Sequence, residues 1–220
     1  MQVPTPVTKP SVNPPLYTRR QASFPGLDRR RRRRRRSRGN IYNGDMSRCV
    51  DPLVVGRVIG EVVDMFVPSV AMAVAYGARD LSNGCHVKPS LAADQPLVRI
   101  SGRRNDLYTL VMTDPDAPSP SEPTMREYLH WIVVNIPGGT DATKGEVVVP
   151  YMGPRPPVGI HRYVLVLFEQ KTRFPYVDAA SPEDRAYFNT RAFAGNHELG
   201  LPVAVVYFNS QKEPSGHRRR

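Results

Sequence analysis

The stretch TDPDAPSPSEPTMREYLHWIVVN, Thr113 to Asn135, decides how the chain is read. Two aspartates stand among four prolines, and the run then passes into an apolar segment carrying a histidine. Pro115 and Pro118 fix φ at about −65° and push Asp114 and Ala117 into extended conformations. A loop stiffened this way holds Asp114 and Asp116 in place before any ligand arrives, which lowers the ordering cost of binding. The isomer of the Ala117–Pro118 bond stays open at this level. In the segment that follows, period-two alternation predicts Tyr128, His130, Ile132 and Val134 on one face of a strand. Leu129, Trp131, Val133 and Asn135 are then expected on the other.

Working outward, SVAMAVAYG, QPLVRIS, LYTLVMT, EYLHWIVVN, RYVLVLFEQ and LPVAVVYFN read as strands, each bounded by Gly, Pro, Asp or Asn. DPLVVGRVIGEVVDMF reads as a helix capped by Asp51, with Pro52 in its first turn. FNTRAFAGNHELG reads as a second helix, capped by Asn189 or Thr190 and ended by Gly200. Many short strands with few helices predict a mostly β chain with a few short helices, built as an antiparallel β-sandwich or barrel-like sheet.

Of the formal net charge of +11, +10 lies in residues 1–45, where twelve cationic residues face only Asp28 and Asp45. Eight of those cations are the unbroken run Arg29 to Arg36, which cannot bury and repels itself, so residues 1–45 are expected to form a disordered Arg/Pro-rich extension. That run would suit a nuclear-import signal or a nonspecific polyanion contact. The rest is nearly neutral, unlike a domain that grips nucleic acid with its folded surface. Residues 46–214 are expected to form the folded domain, and 215–220 a basic C-terminal tail. No apolar run long enough to span a membrane is present, and the first residues lack the apolar core of a secretory signal. Cys49 and Cys85 give neither a disulfide framework nor a zinc spacing, which fits a reducing compartment. A cytoplasmic and nuclear location is the expectation.

In GIHRYVLVLF, His161, Tyr163 and Leu165 share a face opposite Arg162 and Val164. If the ends of three strands converge, Asp114, Asp116, Tyr128, His130, His161 and Tyr163 line one pocket. Three chemistries compete for such a set. Two carboxylates and a histidine suit general acid/base work, as in a hydrolase, but no nucleophile elbow, triad or phosphate-gripping Gly-rich loop accompanies them. A metal site would want an HxH, HExxH or CxxC partner, and His130 and His161 have none. A pocket for a small anionic or zwitterionic group needs only imidazole, phenol hydroxyls and backbone N–H groups. In it, a neighbouring carboxylate would favour the charged imidazolium.

DPDAPSPSEPTMREYLHW together with GPRPPVGIHRY resembles the phosphatidylethanolamine-binding protein family, with its DPDxP loop and GxHR segment. The resemblance runs from about Val50 to Pro214. DPLVVGRVIGEVVD, FNTRAFA, LGLPVA and YFNSQKEP are further similar to the plant Flowering Locus T and Terminal Flower group, and VDPLVVGRVIG with MGPRPPVGIHRY to its Mother-of-FT branch. The resemblance implies a phosphatidylethanolamine-binding-type antiparallel β-sandwich after the disordered extension. It implies a non-enzymatic regulatory binding protein that uses no cofactor and takes a phosphate-containing small ligand or phospholipid head group. Asp114, Asp116, His130 and His161 match the family's pocket positions, with Tyr128 and Tyr163 beside them. It further implies a transcriptional co-regulator or adaptor in seed germination, dormancy or flowering, docking on 14-3-3 proteins that hold a bZIP transcription factor. Pro137 and Arg173 match docking positions, whereas Asn105 and Lys144 stand where an arginine and an aromatic are usual.

Overall fold

The structure is a computed structural model that describes residues 50–175 and 184–214. The extension 1–45, the tail 215–220 and the central part of the KTRFPYVDAASPEDRAY segment lie outside the described residues. Six of the strands form one sheet in the order β3-β9-β8-β5-β6-β7. These are β3 (Cys85–His86), β5 (Leu107–Asp114), β6 (Tyr128–Pro137), β7 (Glu146–Val149), β8 (Ile160–Gln170) and β9 (Ala204–Gln211). All neighbours are antiparallel except β3 beside β9. A small sheet, β2-β1-β4, is made by β1 (Ala71–Tyr76), β2 (Arg79–Asp80) and β4 (Leu97–Ser101).

Alternation along the central strands supplies two cores. On one face Leu110 and Met112 of β5, Tyr163 and Leu165 of β8 and Phe208 of β9 meet Val74 of β1 and Val98 and Ile100 of β4, which makes the sandwich. On the other face Val111, Val164, Val166 and Phe168 are covered by short helical segments through Leu53, Val58 and Phe193, and by Leu199 in the turn that follows the last of them. With both faces buried, β5 and β8 read as nearly continuous apolar runs rather than as half-polar strands.

The first helix departs from the expectation. Asp51 does cap it, accepting from the Leu53 amide at 2.8 Å, and Pro52 does open it. It stops after one turn, α1 (Pro52–Val55), and a second turn, α2 (Val58–Glu61), follows a break. Arg57 lies at φ 54° and Gly60 at φ 101°, so the chain leaves the right-handed region twice within four residues. Gly56 also abuts Tyr207, whose hydroxyl oxygen would be 2.4 Å from an added Cβ. The second helix, α3 (Thr190–Asn196), is capped by Asn189, which accepts from Ala192 N–H at 2.8 Å. It ends before Gly200, because Glu198 takes the left-handed turn at φ 52°.

Alternation in β6 is also reset. Met112 pairs with Trp131 and Thr113 with Leu129, so His130 is an extra residue with no partner on β5. The bulge separates His130 from Ile132 and Val134, which pack with Leu129 on the helical side, while Trp131 and Val133 face the sandwich. Beyond the bulge the expected faces therefore hold only as two sets: Ile132 with Val134, and Trp131 with Val133.

Candidate functional site

The DPDAP loop leaves the end of β5 between the ends of β6 and β8. Asp114 is buried, and its Oδ1 accepts the Asp116 amide at 2.8 Å, folding the chain over Pro115. Its Oδ2 accepts from His161 Nδ1 at 2.7 Å, and His161 Nε2 donates to the Val158 carbonyl at 3.0 Å. Both partners are acceptors, so both ring nitrogens donate and the imidazole carries its proton. Burial opposes that charge, but the Asp114 hydrogen bond and the Asp114 and Asp116 carboxylates outweigh it and raise the His161 pKa above the ordinary histidine value.

His130 is the opposite case. Its Nδ1 donates to the Met152 carbonyl at 2.6 Å, and Met152 N–H returns a bond to the His130 carbonyl at 2.9 Å. Burial lowers its pKa, so the ring stays neutral with a lone pair on Nε2. The bulge is what turns this ring toward the site: it meets Tyr128 edge-on at 5.6 Å and Tyr163 edge-on at 5.1 Å between ring centroids. Tyr163 stacks along its strand with His161 at 6.5 Å. Burial and the Asp114 carboxylate hold its hydroxyl well above the usual phenol range.

These groups enclose a cavity of about 300 Å³. Asp114, Tyr128, His130, His161 and Tyr163 all line it, together with Pro118, Met152 and Arg155. Asp116 does not. Its Oδ2 accepts from the backbone and Nε of Arg162 at 2.8 and 2.9 Å, and its Oδ1 accepts from Arg162 Nη2 at 2.6 Å. The expectation that Asp116 lines the pocket gives way to a different arrangement, in which its carboxylate is spent on holding Arg162. Arg162 goes on to donate to the Gly56 carbonyl and to Glu61, and Glu61 also accepts from Arg126. The stiff loop is thus tied to α1 and α2 by charge. The sign of this in the sequence is Arg162, a charged residue directly before the apolar run Tyr163 to Phe168.

Met152 and Arg155 escape sequence reasoning because they sit in YMGPRPP, a segment with no periodicity to orient them. The Ala117–Pro118 bond, left open by the sequence, is cis. Pro137 and Arg173 lie at the far end of the same sheet. Pro137 and Gln170 both pair with Leu107 at the start of β5, and Arg173 follows three residues later as a surface ion pair with Glu146.

The residues thus build a β-sandwich with a small cavity at one end, framed by one neutral and one ion-paired histidine. The chain belongs to the phosphatidylethanolamine-binding protein family, whose model matches residues 68–208. It is 75% identical over 176 residues to protein MOTHER of FT and TFL1 homolog 2 of Oryza sativa subsp. japonica, covering 79% of this chain and 100% of that one. It is 49% identical over 177 residues to protein TERMINAL FLOWER 1 of Arabidopsis thaliana, with 79% and 97% covered. A phosphatidylethanolamine-binding protein from Plasmodium vivax shares the fold, with a TM-score of 0.64 at 21% identity, over 74% of this chain and 96% of that one. Among the described residues, no helix is long and apolar enough to cross a membrane.

Proposed function

We propose that this protein is a non-enzymatic regulatory binding protein of the plant flowering and germination type, whose cavity takes a phosphate-containing small ligand or head group. The observation that carries this reading is the charge balance of the cavity lining. Asp114 and His161 cancel each other at 2.7 Å, which leaves Arg155 with no ion pair among the described residues. An anionic group at Arg155 would gain a charge-assisted contact, with the His130 lone pair and the tyrosine hydroxyls as further partners for its protonated oxygens or an amine. The hydrolase reading has less support. Both Asp114 oxygens, both Asp116 oxygens and both His161 nitrogens are committed to protein partners, so only His130 keeps a free basic atom.

On this reading the family's docking mode operates at the other end of the sheet. Pro137 and Arg173 would meet a 14-3-3 protein carrying a bZIP transcription factor, in the cytoplasm and nucleus, and the output would be control of germination, dormancy or flowering. The test has two arms on the full chain. Titration with phosphoethanolamine, followed by NMR, is expected to shift Tyr128, His130 and His161, and Arg155→Ala is expected to weaken binding about tenfold. Shifts unaffected by Arg155→Ala reject the anion assignment. Calorimetric titration into a 14-3-3 protein is expected to give binding that survives moderate salt, and absence of heat at low salt rejects the adaptor role.

A further inference from the structure

A second cavity, of about 480 Å³, lies on the helical side of the large sheet, between α2 and α3. Its walls are Val62, Val63, Phe168, Ala194, Leu199 and Pro202. None of the residues assigned to the first cavity takes part. From its volume and apolar walls we infer that it is a binding site for a neutral, largely hydrocarbon small molecule, since pockets of about 300–1,000 Å³ with mostly apolar walls are the usual form of small-ligand sites.

The charge of the rim selects that chemistry. Four charged side chains border the opening, and they are matched in pairs: Arg191 with Asp64 at 2.9 Å, and Lys171 with Glu198 at 3.2 Å. Arg191 is further held by the carbonyls of Gly60, Glu61 and Val63. A carboxylate or sulfonate entering here meets Asp64 and Glu198, and an amine meets Arg191 and Lys171. A molecule without charge meets neither penalty and gains the burial of its apolar surface.

Gly195 supplies an independent observation. It lies within α3 and lines the cavity, and a Cβ added there would meet nothing within 4 Å. Gly195 is the exposed, next-to-last residue of α3 and stands at the mouth of the cavity. The left-handed residue that turns the chain after α3 is Glu198, at φ 52°. No neighbour crowds the missing side chain. A side chain added here would stand at the cavity mouth.

The proposal is tested with the full chain and N-phenylnaphthylamine, an uncharged dye that brightens in apolar surroundings. Saturable binding is expected, and Gly195→Leu, which adds four carbons at the cavity mouth, is expected to weaken it about tenfold or more. Gly195→Ala is expected to stay within about threefold of the wild type. Both substitutions raise helix propensity, so the melting temperature should not fall. The charged relative anilinonaphthalene sulfonate is expected to bind more weakly than the neutral dye. Methyl NMR on the wild-type protein gives a readout independent of any variant: the dye should move the methyls of Val62, Val63, Ala194 and Leu199. Unmoved methyls, unsaturable fluorescence, unchanged affinity in Gly195→Leu, or tighter binding of the sulfonate would each overturn the inference.

Discussion

Replacing Asp116 by asparagine removes one charge from a nearly buried pair without changing its shape. In the native protein Arg162 directs three donors at that carboxylate, at 2.6, 2.8 and 2.9 Å. The Arg162 and Asp116 side chains are only 15% and 6% exposed. Hydrogen bonds to a charged group contribute about 1.5–3 kcal/mol each, and asparagine keeps one carbonyl acceptor while aiming an amide donor at a guanidinium. Arg162 retains Glu61 and the Gly56 carbonyl, so the loss should fall at the low end of the roughly 3–5 kcal/mol seen when one partner of a buried pair is removed. We expect about 3 kcal/mol, or a melting temperature lowered by about 6–12 °C at the 2–4 °C per kcal/mol of a domain this size. Asp116→Asn, Arg162→Met and the double variant, unfolded in urea, form a cycle whose coupling energy should be about 2 kcal/mol. Coupling below about 0.5 kcal/mol would mean that the two side chains act independently, and the tie between the loop and the first helical turns would have no energetic content.

The two pocket histidines should give opposite pH signatures. His161 binds its proton more tightly in the fold, so its contribution is complete below the ordinary value of about 6.5 and fades as pH rises through its raised folded value. The stability gap between wild type and His161→Asn should therefore narrow on going from about pH 6 to about pH 9. His130 is buried neutral, so its native form is favoured above about 6.5, and stability should fall as acid protonates it preferentially in the unfolded chain. His130→Asn should flatten that acid limb in thermal melts, and an unchanged limb would contradict the neutral assignment. At the far end of the sheet, a Cβ on Gly138 would lie 2.2 Å from the Arg103 carbonyl oxygen, a backbone atom with no rotamer to yield. Gly138→Ala should cost about 3 kcal/mol in urea unfolding, and a loss below about 1 kcal/mol would show that the turn relaxes.

Legibility in the sequence followed the range of the forces involved. Strands β5, β8 and β9 were readable because unbroken apolar runs bounded by turn residues reflect burial, which each residue expresses locally. The break after Val55 was not, because it depends on Arg57 adopting φ 54° and on Gly56 meeting Tyr207, far along the chain. Strand β3 is two residues long and exists only as an appendage of β9. The bulge at His130 left no mark on the sequence either, since the ladder between β5 and β6 sets it. Five of the six expected positions around the cavity came from alternation and loop stiffness. The sixth, Asp116, went elsewhere because its partner Arg162 lies 46 positions away on a strand whose order beside β5 no local pattern reveals.

Strand β5 has Leu107 at the corner where Pro137 lies and Asp114 at the cavity, a span of about 24 Å at strand rise. Seven of its eight residues are buried, and it is hydrogen-bonded to a neighbour on each side along its length. Such a strand is a girder, with no second position to occupy, and signalling between distant sites needs an element that has two. The ends of the molecule should therefore behave as separately replaceable fittings: substitutions in the cavity and at the corner should add, within about 0.3–0.5 kcal/mol, in any property measured at either end. On the proposed reading, a lineage that changes the corner surface could keep its cavity intact, and one that re-lines the cavity need not alter the corner.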